Sequence, residues 1–372
     1  MQMKIIVVIG TRPEAIKMCP VIYEFNRRKE IFSTKVLVTG QHKEMLSQVL
    51  ELFKVKPDYN LSLMEENQSL SGLTSKAIPA MEKVIEKERP DILLVQGDTT
   101  TSFVASLAAF YQNVSVGHIE AGLRTNKKYY PFPEEINRRL ITVLSDINFA
   151  PTRSAFENLL REGVDHDKIY ITGNTVIDAL YHILDICENN SDKAGSNNKR
   201  HILLTAHRRE NFGVPMENIC RAIKKLVSIY DDIEVTYPVH KNPNVRDIVY
   251  CMLSDVERVN LIEPVDYIDC VNIMKNSYLI LTDSGGIQEE APSLGKPVLV
   301  LRNETERPEA VEAGTVKIIG TDTESIVSQT QCLLDDQEAY SLMANAINPY
   351  GDGTASKQIA DLLISNYFTR SA

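Results

Sequence analysis

Along the chain, short uninterrupted runs of aliphatic and β-branched residues alternate with longer stretches whose apolar positions recur about every 3.6 residues. In the first half the runs are KIIVVIG, TKVLVTG, DILLVQG and NVSVGHI. Runs that are apolar at nearly every position, rather than at alternate ones, mark strands covered on both faces. Helical spacing between them marks the crossovers of a parallel sheet. The pattern predicts a doubly wound α/β domain. A polar stretch, CENNSDKAGSNNK from Cys187 to Lys199, then reads as a linker or exposed loop. After it the alternation restarts with HILLT and continues through IEVTYPV, VNLIEP, YLILTD and PVLVLR.

The two halves open alike. MKIIVVIGTRPEAIK is strand, turn, Arg12, then helix; HILLTAHRRENFG is strand, turn, Arg208 and Arg209, then a polar loop. The expected organisation is a Rossmann-like domain over residues 1–170, a connecting segment over 171–200, a second Rossmann-like domain over 201–350 and a C-terminal helix over 351–372. Ligands of open α/β sheets bind at the carboxyl ends of the strands. Two such domains facing each other would enclose a cleft. This makes SVGHIEAGLRT, Ser115 to Thr125, conspicuous, because a run that reads as a buried strand ends in Glu120 and Arg124.

Composition narrows the chemistry. With 43% hydrophobic and 24% charged residues in 372, the chain can bury two cores, and nothing suggests disorder or a fibre. The longest apolar runs are far below the ~18 residues that cross a bilayer. MQMKIIVV enters the first strand directly without the layout of a signal peptide, so a soluble cytoplasmic protein is expected. The net charge of −10 opposes general affinity for nucleic acid or anionic membrane; any anion site must be built from local cations. The six cysteines are scattered without CxxC, and the seven histidines show no HExxH or HxH, so neither a disulfide frame nor a metal site is expected.

Four stretches carry candidate chemistry. DSGGIQEEAPSLGKPVLVL sets Ser284, Gly285 and Gly286 between a strand and a helix, where backbone N–H groups suit a phosphate and Glu289 or Glu290 suits a ribose. An ordinary strand-to-helix turn accounts for it equally well. GTRPEAIKM carries Arg12 and Lys17, either as solvated helix residues or as cations aimed at a diphosphate. QGDTTTS and HIEAGLRT place Asp98 and Glu120 at strand ends, and YPFPEEINRR adds Glu134, Glu135 and Arg138. Glu134 and Arg138 have the spacing of a routine surface ion pair. Three acidic ends in one domain nevertheless exceed what helix capping needs, and they suit general acid/base work. No GxGxxG follows a strand, and Walker, GxSxG and DxD patterns are missing, so nicotinamide, phosphoryl-transfer and serine-hydrolase chemistry lose support.

Taken together, GTRPEAIKM, QGDTTTS, HIEAGLRT, FPEEINRR, TGNTVIDAL, HRRENFG, YPVHKNP, DSGGIQEEAPSLGKPVLVLR, TERPEAV and NPYGDGTAS resemble the non-hydrolysing UDP-N-acetylglucosamine 2-epimerases, in the family's order from about residue 4 to residue 365. The resemblance implies a GT-B fold of two Rossmann-like domains around a deep cleft, with the C-terminal residues crossing back to the first. It also implies a homodimer and interconversion of UDP-GlcNAc and UDP-ManNAc for surface polysaccharides, without metal or nicotinamide cofactor. In the family's proposed route, loss of C2–H and C1–O cleavage give 2-acetamidoglucal and UDP, and UDP then returns with the proton delivered to the other face. The alternatives fit worse. C2 has no neighbouring carbonyl to ease direct deprotonation, and transient oxidation would need a cofactor motif that is not found. By motif, Asp98, Glu120 and Glu134 resemble the catalytic carboxylates and His207 the essential histidine near the diphosphate. Lys17, Arg12 and Arg138 resemble residues supporting the nucleotide or the site's geometry, with Arg124 expected to stabilise Glu120 or a phosphate beside it. Ser284, Gly285, Gly286 and Glu290 resemble the phosphate and ribose contacts.

Many bacterial members also bind a second UDP-GlcNAc as an activator, and Gln41, Glu135 and His240 match that pattern, with Arg208 or Arg209 beside them. Glu44 and Asn67 stand where those members commonly carry Gln and Arg. Losing a cation and gaining a carboxylate near a diphosphate implies weakened activation. Cys270 stands where the family usually has Phe near the uracil, and Tyr267 is the available substitute. A GT-B glycosyltransferase, a hydrolysing epimerase and a non-catalytic nucleotide-sugar sensor are the rival readings. The complete set Asp98, Glu120, Glu134 and His207 disfavours the transferase and the sensor.

Overall fold

The computed structural model describes residues 2–40, 43–63, 68–190 and 199–370, with all side chains except those of 43–45, 189–190 and 367–370. Gln41, Asn67 and the side chain of Glu44 therefore lie outside the described residues. The chain divides into two compact units, one formed by Met1–Ala179 with Tyr350–Ala372, the other by Leu180–Pro349.

In the first unit β1 (Met3–Ile9), β2 (Phe32–Val38), β3 (Tyr59–Asn60), β4 (Ile92–Gln96), β5 (Ser115–Ile119), β6 (Ile147–Ala150) and β7 (Ile169–Ile171) form one sheet in the order β3-β2-β1-β4-β5-β6-β7. In the second, β8 (Arg200–Thr205), β9 (Ile233–Pro238), β10 (Val259–Ile262), β11 (Leu279–Thr282), β12 (Val298–Val300) and β13 (Val316–Ile318) take the order β10-β9-β8-β11-β12-β13. All these pairings are parallel. Both sheets are α/β layers covered by helices on two faces, which is why β1, β4 and β11 are buried nearly throughout.

The same order reverses direction at the same place in each sheet, between β1 and β4 and between β8 and β11. Chain connections leave such a switch point in opposite directions, so the carboxyl ends of its two strands are where a ligand finds room. GTRPE comes after β1, GDTTT after β4, HRRENF after β8 and DSGG after β11.

Local chemistry fixes these turns. Thr11 caps the helix Arg12–Arg27 in a capping box with Glu14, and Thr99 caps Thr100–Tyr111. Gly10 admits no side chain, because a Cβ there would meet Thr101 Oγ1 at 2.5 Å. The helix Thr175–Asn190 runs through Cys187, which is buried, so the first residues of the polar stretch from Cys187 to Lys199 are helical; 191–198 lie outside the described residues. Strands β3, β6, β7 and β13 are not among the apolar runs read from the sequence; a polar residue interrupts β6 at Asn148 and β13 at Lys317. Among the described residues no helix is long and apolar enough to cross a membrane.

Candidate active site

Beside the first switch point, on the strand next to β4, Glu120 directly succeeds the last residue of β5. The sheet ladder continues on both sides of it, through Gly97 N–H to Ile119 O and Ala121 N–H to Phe149 O, each 3.0 Å. Glu120 itself takes φ 65°, a left-handed conformation unusual for a side chain of this kind, and it is buried. Its carboxylate receives Lys17 Nζ at 2.7 and 2.6 Å, and Gln96 donates to Oε2. Lys17 thus stands against a catalytic candidate rather than on a solvated helix face.

A second carboxylate, Asp98, leaves β4 and accepts from Arg138 Nε at 3.1 Å and from Arg138 Nη2. Its backbone carbonyl accepts from Asn137 Nδ2 at 2.9 Å. Glu134, the first residue of the helix Glu134–Leu144, makes no pair with Arg138. Its Oε2 is buried with no hydrogen-bond partner among the described residues. Arg138 turns instead to Asp98 and Glu135, so the spacing of a surface ion pair is used otherwise. Arg12 opens its helix and forms no ion pair among the described residues.

One expected contact is not made, and Glu135 has partners within its own unit. Arg124 does not reach Glu120. Its guanidinium lies on Glu162 at 2.8 and 2.6 Å and on Thr142 Oγ1 at 3.0 Å, because the chain has turned away at Gly122 by the time Arg124 is reached. Glu135, matched to an activator site, is buried and accepts from Thr125 N at 3.0 Å and Asn126 N at 3.2 Å, with Arg138 and Arg139 beside it. Burial alone would raise its pKa, but these donors hold it below the usual carboxylate range. It braces the loop that delivers Glu134.

At the second switch point, His207 and Arg208 come after β8, and Asp283 and Ser284 after β11. Ser284 precedes the turn-and-a-half of helix Gly285–Glu290. A Cβ on Gly285 would lie 3.7 Å from Arg307 Nη2 and 3.8 Å from Arg208 Nη2, so two guanidinium groups converge on this glycine, while one on Gly286 would lie 3.5 Å from Glu290 Oε1. Glu289 holds Arg307, and Tyr267 donates to Glu290 Oε2 at 2.7 Å. His240 stacks on His207 with ring centroids 5.5 Å apart and planes 12° apart, which brings an activator candidate onto a catalytic one. Burial lowers the His207 pKa; Asp283 opposes this, and His240 and Arg208 reinforce it. Arg209 is exposed at the start of the next turn.

Four further residues matter that the motifs alone do not single out. Glu14 Oε2 accepts from Gly10 N at 2.9 Å and Thr11 N at 2.5 Å, while Oε1 accepts from Thr99 and Ser102 hydroxyls at 2.6 and 2.8 Å. It therefore ties the turn after β1 to the turn after β4. Gln96, Asp283 and Arg307 are the others. An acid in an otherwise apolar helix face was the available signal for Glu14; the rest depend on contacts distant in sequence. Among the described residues no group of three His, Cys, Asp or Glu is assembled that would hold a metal ion.

The family model for UDP-N-acetylglucosamine 2-epimerase matches residues 24–364. The chain belongs to the UDP-N-acetylglucosamine 2-epimerase family. A UDP-N-acetylglucosamine 2-epimerase of Bacillus subtilis is 51% identical over 368 residues, spanning 98% of this chain and 96% of the relative. The crystal structure of a UDP-GlcNAc 2-epimerase from Neisseria meningitidis, bound to UDP-GlcNAc, superimposes with TM-score 0.90 at 51% identity, covering 98% of this chain and all of that one. One from Methanocaldococcus jannaschii, in complex with UDP-GlcNAc and UDP, matches with TM-score 0.80 at 34% identity over 98% and 100% of the two chains. The epimerase is thus an isomerase with the GT-B fold, and its two parallel sheets are the Rossmann-like halves of that fold.

Proposed function

We propose that this epimerase interconverts UDP-GlcNAc and UDP-ManNAc by eliminating UDP to 2-acetamidoglucal and adding it back, so supplying ManNAc for a surface polysaccharide. One observation carries the reading: the first switch point presents three carboxylates held in three different ways. Glu120 is paired with Lys17, Asp98 is clamped by Arg138, and Glu134 keeps a buried oxygen that has no donor among the described residues. Removing a proton from one face of C2 and delivering one to the other requires distinct acid/base groups of this kind. A protein that only binds a nucleotide sugar has no use for them.

The second switch point supplies what the leaving group needs. Arg208, Arg307 and the Ser284–Gly286 turn offer positive charge and backbone N–H groups to a diphosphate, and His207 stands beside them. Relatives bound to UDP-GlcNAc and to UDP support a uridine diphosphate sugar as the ligand. Arg12 and Lys17 add cations at the first. A homodimer is part of the reading, supported by exposed Phe110, Tyr111, Leu140 and Val143 on two neighbouring helices.

Proton and phosphorus NMR of the enzyme with UDP-GlcNAc in D2O tests the reaction. The expected product is UDP-ManNAc carrying deuterium at C2. Free ManNAc with UDP would assign a hydrolysing enzyme, and unchanged UDP-GlcNAc in the presence of demonstrable UDP binding would assign a sensor or a transferase.

A further inference from the structure

The second switch point also holds an enclosed acid. Asp283 comes directly after β11 and is fully buried. Its Oδ2 accepts from the backbone N–H groups of His207 at 2.7 Å and Arg208 at 2.8 Å and from Asn211 Nδ2 at 2.9 Å. Its Oδ1 is buried and makes no hydrogen bond among the described residues, yet it stands 3.3 Å from His207 Nδ1. A buried carboxylate oxygen left without a donor is costly, and the imidazole is the donor at hand.

We propose that Asp283 is a positioning residue for the epimerisation, taking the Nδ1–H of His207 so that a second proton, gained from solvent as the imidazolium forms beside the bound diphosphate, sits on Nε2 and is donated to a phosphate oxygen. The inference rests on the 2-epimerase reading of the site. A neutral imidazole carries its proton on one nitrogen only, and a carboxylate on one side decides which. The remaining surroundings agree. His240 covers one face of the ring, and its own Nδ1 accepts from Asn242 N at 3.1 Å, so it makes no claim on His207 Nδ1. The peptide N–H bonds to Oδ2 fix the acid relative to the same residue whose ring it orients, so backbone and side chain of His207 are set by one group.

The substitution Asp283→Asn separates this role from simple anchoring. Three N–H donors at the Oδ2 position require an oxygen there, so the introduced amide nitrogen falls at the Oδ1 position. There it donates to Nδ1 and selects the opposite tautomer. At pH 8, above the lowered pKa of the half-buried ring, 15N NMR of histidine-labelled enzyme, with the His207 signal assigned by its loss in His207→Asn, should show the proton on Nδ1. In Asp283→Asn it should move to Nε2, with kcat lower by roughly 10²- to 10⁴-fold and UDP affinity little changed. A wild-type His207 protonated on Nε2 would overturn the proposal, even if the variant does not fold. So would Asp283→Asn with the wild-type tautomer or the wild-type kcat. Wild-type enzyme that leaves UDP-GlcNAc unchanged would instead count against the reaction, while the tautomer still tests the contact.

Discussion

Glu120 combines a left-handed backbone, burial and a lysine partner within hydrogen-bond reach, features that a residue present only for stability would not need together. Replacing it by Gln keeps the volume and the chance to bond Gln96 but removes the charge that Lys17 neutralises. Glu120→Gln is expected to lower turnover by roughly 10²- to 10⁴-fold. UDP affinity by titration calorimetry should remain measurable, since Arg208 and Arg307, the cations assigned to the diphosphate, lie in the other unit. A normal rate would remove Glu120 from the mechanism. At this scale the motifs located the carboxylates, the glycine turn and the histidine. They did not give partners. Arg124 is four residues from Glu120 in sequence, yet the reversal at Gly122, where a Cβ would sit 2.2 Å from Ala155 O, sends it to Glu162. Glu14 and Asp283 act through bonds to residues 85 and 76 positions away, such as Thr99 and His207, which local patterning does not encode.

Strand β5 shows how an element positions a neighbouring turn. His118 is paired in register with Asn148 on β6, and both are fully buried in the sheet. His118 Nε2 lies 2.7 Å from Gly97 O, which makes the imidazole a strut under the turn that carries Asp98. Burial is the main cause that lowers its pKa to about 4; the Gly97 carbonyl opposes the shift and the charges of Arg124 and Arg138 add to it. The fold therefore favours the neutral ring relative to the unfolded chain, whose His titrates near 6.5. The contribution is fully present above pH 6.5 and is lost as pH falls toward 4, by on the order of 3 kcal/mol. Thermal unfolding of wild type and His118→Gln from pH 7.5 to 4 should show a shallower acid limb in the variant, whose amide still donates to Gly97 O without titrating. Parallel acid limbs would deny His118 this role. Most strands of both halves were legible from their apolar runs, even three-residue β12, whereas Asn148 in β6 and Lys317 in β13 break the run and those strands emerged only from their neighbours.

Across the molecule, the repeated alternation after a polar interval gave two α/β halves, and the comparison of sheet orders adds that both reverse at the same point. That point was not visible in the sequence, because strand order depends on which crossovers lie on which face. Exposure on the neighbouring helices Thr100–Tyr111 and Glu134–Leu144 bears on assembly: Val143 is 83% exposed and Phe110 58%. Light scattering should give twice the 41.8 kDa of one chain, and Val143→Asp should shift the population toward the single chain. A single-chain mass for the wild type at micromolar concentration would reject the dimer.

The first unit is also not continuous in sequence. Its last piece, Tyr350–Ala372, is tied back by Asn174 N–H to Tyr350 O at 2.7 Å, by Asp178, which accepts from Ala355 and Ser356 N–H, and by Arg28 on Asp361. A ribosome makes the chain in order, so the whole second unit is synthesised before the segment that closes the first one. The half that carries Asp98, Glu120 and Glu134 begins first and is completed last, and throughout translation it waits on the final helix for its full set of contacts.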